Sequence, residues 1–270
     1  MTLFIGDIVP NFKADTTVGP INFYDWQEKS WVVLFSHPAD FTPVCTTELG
    51  RIAVHEPLFK KRNVKLLAHS CDNLKSHVDW VNDIKSYCLD IPGDFPYPII
   101  ADPKKEIAVL LNMVDSKRIT DLEHQLTIRA LYIIDPNHVL RLSMHYPHST
   151  GRNVDETLRV IDSMQLVDKL PQIATPANWV PGEKVMILPE VSDDEANSLF
   201  SAKRNSANEN LSSVFQEEDF QKEFKKVLEY QDQIAEITSR LQIRIDKKYK
   251  QTDVHSISNH DLDADSITQI

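Results

Sequence analysis

Cysteine, glycine, positive charge and long apolar runs are all scarce in this chain of 270 residues, and each shortage excludes a class of protein. Three cysteines, Cys45, Cys71 and Cys88, are too few for a disulfide framework, and an odd count leaves one thiol unpaired. That usage fits a reducing compartment. Six glycines provide no glycine-rich loop to cradle a phosphate, and ten histidines show no metal-ligand spacing with cysteine. Neither a nucleotide nor a metal is expected as cofactor. No stretch approaches the ~20 apolar residues that span a bilayer. The opening Met1-Thr2-Leu3-Phe4-Ile5-Gly6-Asp7 lacks the basic flank and apolar core of a secretory signal. The expected place is cytoplasmic, without integral membrane association. Lys and Arg number 29 against 40 Asp and Glu, a net charge of −11. This disfavours nucleic acid and anionic lipid as partners, because neutralising phosphates needs clustered cations.

What remains is an ordinary globular composition, 41% hydrophobic and 26% charged, enough to bury a core. Residues 1–165 alternate between two patterns. Trp31–Phe35, Val64–Ala68, Ala130–Ile134 and Val139–Ser143 are short runs rich in branched residues, as buried strands are. Thr46–Lys61, Ser76–Tyr87, Lys105–Leu111 and Val154–Val167 carry helical periodicity. Asp135-Pro136-Asn137-His138 has the chemistry of a hairpin turn. Strand–helix alternation closed by a hairpin and a helix predicts an α/β fold, a mixed central sheet flanked by helices on both faces.

The most informative stretch is Ser36-His37-Pro38-Ala39-Asp40-Phe41-Thr42-Pro43-Val44-Cys45-Thr46-Thr47-Glu48-Leu49. It follows a strand and places Cys45 in a first helical turn, with Pro43 where a missing N–H costs nothing and Thr42 as the expected N-cap. Helix N-termini direct N–H groups and a positive dipole end at such a sulfur, and can bring a thiol pKa from ~8.5 to roughly 3.5–7.5. Threonine stands where a Cys-x-x-Cys motif has its first cysteine, so dithiol exchange is excluded. The segment resembles the Pro-x-x-x-Thr-x-x-Cys motif of the peroxiredoxins, and Phe-Ser-His-Pro…Phe-Thr-Pro-Val-Cys-Thr-Thr-Glu-Leu is similar in detail to their 1-Cys (peroxiredoxin 6) branch.

The resemblance implies a thioredoxin-like fold over 1–165, and a peroxidase reducing hydrogen peroxide and organic or lipid hydroperoxides through a Cys45 sulfenic acid. Cys45, Thr42 and Arg129 are the implied catalytic residues. His37 and Pro38 match residues that shape the pocket, while Glu48 and Arg152 match a carboxylate and a second arginine in supporting roles. No cysteine follows Cys88, so an external thiol reductant must resolve the sulfenic acid. The branch ascribes that role to glutathione, often helped by a glutathione transferase. Residues 166–204, punctuated by Pro171, Pro176, Pro181 and Pro189, resemble the small C-terminal dimerisation domain of 1-Cys peroxiredoxins and imply a homodimer.

Residues 205–270 have no counterpart in that pattern. Within this acidic extension, Ser213 and Gln216 form a capping box, and Phe220, Val227, Ile234 and Leu241 recur every seventh residue. This predicts an amphipathic helix over about 214–250, then a disordered tail. Two rival readings follow. An interaction protein would work through that helix. A phospholipase A2-like hydrolase, also credited to the 1-Cys branch, would use a Ser/His/Asp set that falls on Ser30, Tyr24 and Asn137. Only the serine survives, and no histidine near Tyr24 in the sequence replaces the base, so lipase activity is expected to be absent or very weak.

Overall fold

The computed structural model describes residues 3–91, 93–114, 127–192 and 194–196. The helix expected over 214–250 and the tail beyond it lie outside the described residues. Met1–Leu188 form one compact unit and Pro189–Ile270 a second.

The sheet of the first unit has seven strands, β1 (Lys13–Thr16), β2 (Ile21–Asn22), β3 (Trp31–Ser36), β4 (Val64–Ser70), β5 (Ile99–Ala101), β6 (Arg129–Ile134) and β7 (Leu140–Tyr146). Their order is β2-β1-β5-β4-β3-β6-β7. The centre is parallel, with β4 between β3 and β5, whereas β1, β6 and β7 pair antiparallel. Every residue of β3 and β6 is buried, which is why both read as unbroken apolar runs.

Alternate side chains of these strands feed two cores. Trp31, Val33, Phe35, Leu66, Ala68, Leu131 and Ile133 point one way, toward α2 (Pro43–Lys61), α3 (Leu74–Tyr87) and α5 (Val154–Lys169). Val32, Leu34, Leu67, Ile100, Tyr132 and Ile134 point the other way, onto Phe12, Phe23 of α1 (Phe23–Gln27) and Ile107 of α4 (Glu106–Leu110). Each large apolar side chain fully removed from water contributes about 1.5–3 kcal/mol, so a sheet loaded on both faces dominates the stability of the unit. Two-residue strands β8 (Ile173–Ala174) and β9 (Met186–Ile187) pair in the proline-punctuated region, as the spacing of its prolines allows.

Helices α2 and α3 approach each other closely at one point. A Cβ on Gly50 of α2 would lie 2.3 Å from the Cys88 sulfur, at the end of α3. Any larger residue there would require the Cys88 side chain to shift.

Candidate active site

The site lies where β3 ends, at the carboxyl edge of the parallel strands, the edge at which open α/β sheets gather their ligands. Pro43 opens α2, so Cys45 occupies its third position. Thr42 takes the N-cap position in extended conformation, but its hydroxyl does not cap the helix. It donates to the Ala39 carbonyl at 3.0 Å. The loop before it turns tightly, with Phe41 in the left-handed region at φ 55°, and that turn brings the carbonyl within reach. The expected side-chain cap is thus replaced by a loop bond, which leaves the first-turn N–H groups uncapped by Thr42.

Cys45 is fully buried. Its sulfur is 3.3 Å from Nη1 of Arg129, the first residue of β6. Glu48 follows Cys45 by three residues and therefore shares its helix face. Its Oε2 accepts from Arg129 Nη1 at 2.6 Å and from Arg152 Nη2 at 3.1 Å. Its Oε1 accepts from Arg152 Nε at 2.9 Å and from the Arg152 main-chain N–H at 2.7 Å. The rest of both guanidiniums is spent on backbone. Arg129 Nε and Nη2 donate to the His148 carbonyl at 2.9 and 2.7 Å, and Arg152 Nη1 donates to the Ala130 carbonyl at 2.6 Å. Burial pushes the Glu48 carboxyl up, but the Arg152 and Arg129 guanidiniums and their hydrogen bonds hold it below its ordinary value. Two buried guanidiniums face one carboxylate. The cluster carries a net positive charge, and a thiolate at Cys45 would cancel it.

His37 and Pro38 are buried directly after β3. Among the described residues His37 bonds neither to Cys45 nor to an arginine. Its Nε2 lies 2.8 Å from Asp40 Oδ1, and its ring packs on Trp80 with centroids 4.9 Å apart. The Trp80 indole N–H in turn donates to the Thr46 hydroxyl at 3.1 Å, one residue beyond Cys45. Sequence reasoning missed Asp40 and His77 as members of this neighbourhood. His77 comes from α3, 37 residues away, and no local signal links the two. Cys45, Glu48, Arg129 and Arg152 are thus in direct contact, Thr42 stands at the head of their helix, and His37 stands behind Trp80.

The other thiols have a different environment. Cys71, just past β4, is pushed up to about 12 by burial and by the Asp102 charge. Burial also raises Cys88, the residue that ends α3. All three thiols are free.

Around Ser30 the structure corrects one expectation. A histidine does lie against Tyr24: the β6–β7 turn brings in His138, which stacks on its ring at 3.7 Å between centroids. Its Nδ1 is 2.8 Å from Gln27 Oε1. The Ser30 hydroxyl donates to Asn63 Oδ1 at 3.0 Å, and Tyr24 donates to the Val9 carbonyl at 2.7 Å. Asn137 presents its main-chain N–H to Asp135 Oδ1 at 2.8 Å. These groups are occupied by structural bonds. Surface cavities beside β1 and β2, and beside Arg62 and Gln165, lie away from Cys45. Among the described residues no helix is long and apolar enough to cross a membrane.

Comparison with known proteins gives the same reading from outside. The AhpC/TSA family model matches residues 5–143, and the model for the C-terminal domain of 1-Cys peroxiredoxin matches 163–202. The chain is 50% identical to a probable 1-Cys peroxiredoxin of Syntrichia ruralis over 196 residues, 73% of this chain and 88% of that protein. Its fold is similar to a crystal structure of a cysteine-to-serine mutant of the peroxiredoxin 6 of Arenicola marina, with TM-score 0.68 and 53% identity, covering 73% and 89% of the two chains. It is also similar to yeast mitochondrial 1-Cys peroxiredoxin, with TM-score 0.66, 47% identity and coverage of 73% and 92%. That structure is described as the basis of a thiol-resolving mechanism via glutathione and thioredoxin systems.

Proposed function

The chain belongs to the AhpC/TSA family, in its 1-Cys peroxiredoxin branch, and is a thiol-dependent peroxidase; from that premise we propose that Cys45 is the peroxide-reducing thiol. The single observation that carries this is the Arg129 N–H aimed at the Cys45 sulfur from 3.3 Å, inside a cluster with one positive charge in excess. The thiolate attacks the nearer oxygen of a hydroperoxide. A sulfur–oxygen bond forms, the O–O bond breaks, and its electron pair leaves as alkoxide or hydroxide, which takes up a proton. Sulfur is oxidised to sulfenic acid and peroxide is reduced to alcohol or water. Arg129 stabilises the negative charge spread over sulfur and oxygens. Uncapped first-turn N–H groups and the Thr42 hydroxyl hold the peroxide, and Glu48 fixes both arginines in place. His37 and Pro38 form the wall behind the turn.

The reductant in this reading is an external thiol, glutathione, with a glutathione transferase as an expected helper. Burial raises both Cys71 and Cys88 away from thiolate, which favours an external over an internal resolving thiol. A peroxidase domain over 1–165 and a small dimerisation domain over 166–204 accord with the extents of the two family matches. Among the described residues, strand β7 has β6 as its one neighbour in the sheet order, an open edge that a second copy of this chain would extend into a homodimer. Free thiols favour the cytosol. The test is peroxide consumption with a trapped sulfenic acid: Cys45→Ser abolishes both, and consumption that survives this substitution overturns the assignment.

A further inference from the structure

The register between β3 and β6 ends just short of the arginine that reaches Cys45. Its last pair is Phe35 with Leu131. Past that pair, side chains join the two strands. The Ser36 hydroxyl donates to the Ile128 carbonyl at 2.6 Å and accepts from the Ala130 N–H at 3.1 Å. Ile128 and Ala130 are the residues on either side of Arg129. From the other strand, the Thr127 hydroxyl donates to the His37 carbonyl at 2.6 Å. The Ala130 carbonyl accepts from Arg152 Nη1 at 2.6 Å. Ser36 and Thr127 are both fully buried. A buried main-chain group left without a partner costs about as much as a lost hydrogen bond, so these two hydroxyls determine where residues 127–130 can lie. One hydroxyl can give one hydrogen and still accept another, which lets Ser36 hold both flanks of the arginine at once.

We propose that Ser36 and Thr127 are positioning residues for peroxide reduction, fixing the main chain around Arg129 so that its guanidinium meets the Cys45 sulfur. This deepens the peroxidase reading and rests on it. Arg129 is held from three sides. On the β7 side it pairs in register with Tyr146. At its tip, Nη1 is 3.3 Å from the sulfur and 2.6 Å from Glu48 Oε2, while Nε and Nη2 donate to the His148 carbonyl. On the β3 side the hydroxyls of Ser36 and Thr127 hold its flanks. Alanine at 36 would release the Ile128 carbonyl and the Ala130 N–H together. Valine at 127 would keep the shape of threonine but free the His37 carbonyl. Either change lets the start of β6 move, and the charge moves with it.

Stopped-flow oxidation of Cys45 by hydrogen peroxide in the full-length protein tests this. Ser36→Ala should be slowed about 10- to 100-fold, since a displacement of ~1 Å can cost about 100-fold. Thr127→Val should be slowed about tenfold, and Thr127→Ser, which restores the hydroxyl, should recover to within about threefold of wild type. In an Arg129→Gln background, Ser36→Ala should cost no more than about twofold further, because residues that act through one another are not additive. Losses that multiply in that background, or equal rates for Thr127→Val and Thr127→Ser, overturn the proposal. The Arg129 Nε–H resonance, identified by its loss in Arg129→Gln, reads the same question without activity. Ser36→Ala and Thr127→Val should shift it, and a slowed rate with that signal unmoved also overturns the proposal. Should Ser36→Ala fail to fold, the Thr127 pair decides. Peroxide consumption surviving in Cys45→Ser defeats the assignment of the thiol instead, so the two failures are distinguishable.

Discussion

Strand β3 has a hydroxyl nucleophile before its first residue and a thiol nucleophile past its last, and the two ends of this strand have entirely different chemistry. At the amino end, the Ser30 hydroxyl donates to an asparagine amide, the nearby histidine is stacked on tyrosine and bonded to glutamine, and Asp135 is occupied by the Asn137 and Val139 N–H groups and Arg141. The Ser30 hydroxyl, the Tyr24 hydroxyl and the Asp135 carboxylate are all present and already bonded. At the carboxyl end, Cys45 faces a guanidinium, and the carboxylate that anchors that guanidinium also anchors a second. A reactive side chain alone is therefore not a site. What separates the two ends is whether neighbouring charges are held in place for something still to arrive.

The difference between the two ends of β3 depends most on Arg129. Arg129→Gln removes the charge beside the sulfur but keeps a donor, and the second-order rate of Cys45 oxidation by hydrogen peroxide should fall about 100- to 1000-fold, the loss typical of one preorganised donor. Stopped-flow kinetics read this directly. A fall of less than tenfold would make the two ends of β3 electrostatically alike.

Glu48→Gln attacks the same cluster from its anionic side. Two buried guanidiniums would then lack a counter-charge, and breaking such a buried network typically costs about 3–5 kcal/mol. The midpoint of urea unfolding, with an unchanged slope, is the measurement. A related outcome concerns acid. The folded-state value of Glu48 is depressed, so its contribution is complete above the ordinary carboxylate value of 4.5 and lost as pH falls below it. Unfolding midpoints should decline below that pH in the wild type and decline less steeply in Glu48→Gln.

At the other end the expected effects are small. Ser30→Ala should cost about 1 kcal/mol, since Asn63 loses a hydrogen-bond partner, and leave peroxide consumption unchanged. The purified chain should hydrolyse no phosphatidylcholine. Hydrolysis that Ser30→Ala abolished and Cys45→Ser retained would show that the amino end is a second active site. Smallest of all, Cys71→Ser and Cys88→Ser should each leave the peroxide rate within about twofold, because burial raises both thiols away from the reactive thiolate form.

Much of this contrast was legible in the sequence, and the limits are physical. β3, β4 and β6 announced themselves because strands buried on both faces need short, dominantly apolar runs rich in branched residues, Lys65 being the one charge within the β4 run Val64–Ala68. The hairpin between β6 and β7 was visible in Asp135-Pro136-Asn137-His138, where His138 adopts φ 65°. β1 and β2 were not legible. Lys13-Ala14-Asp15-Thr16 alternates exposed and buried residues over only four positions, too few for a period to register. Cys45, Arg129, Glu48 and Arg152 could be named only because a motif and a family pattern tied them together. Thr42 was placed at the right position with the wrong bond, since its alternative acceptor, the Ala39 carbonyl, depends on a loop shape that composition does not encode. Asp40 with His77, and Tyr24 with His138, were beyond reach. Each pair joins elements that only the finished sheet brings together.

The bare backbone at Gly50 has a consequence beyond fit. One helix carries the Cys45 sulfur, and the missing methyl group leaves room beside it for the Cys88 side chain that ends the other. Gly50 is in this sense a spacer between the helix of the sulfur and its neighbour: a single carbon added there, remote from any reacting atom, would press on the Cys88 side chain and force it or the helix that ends with it to shift.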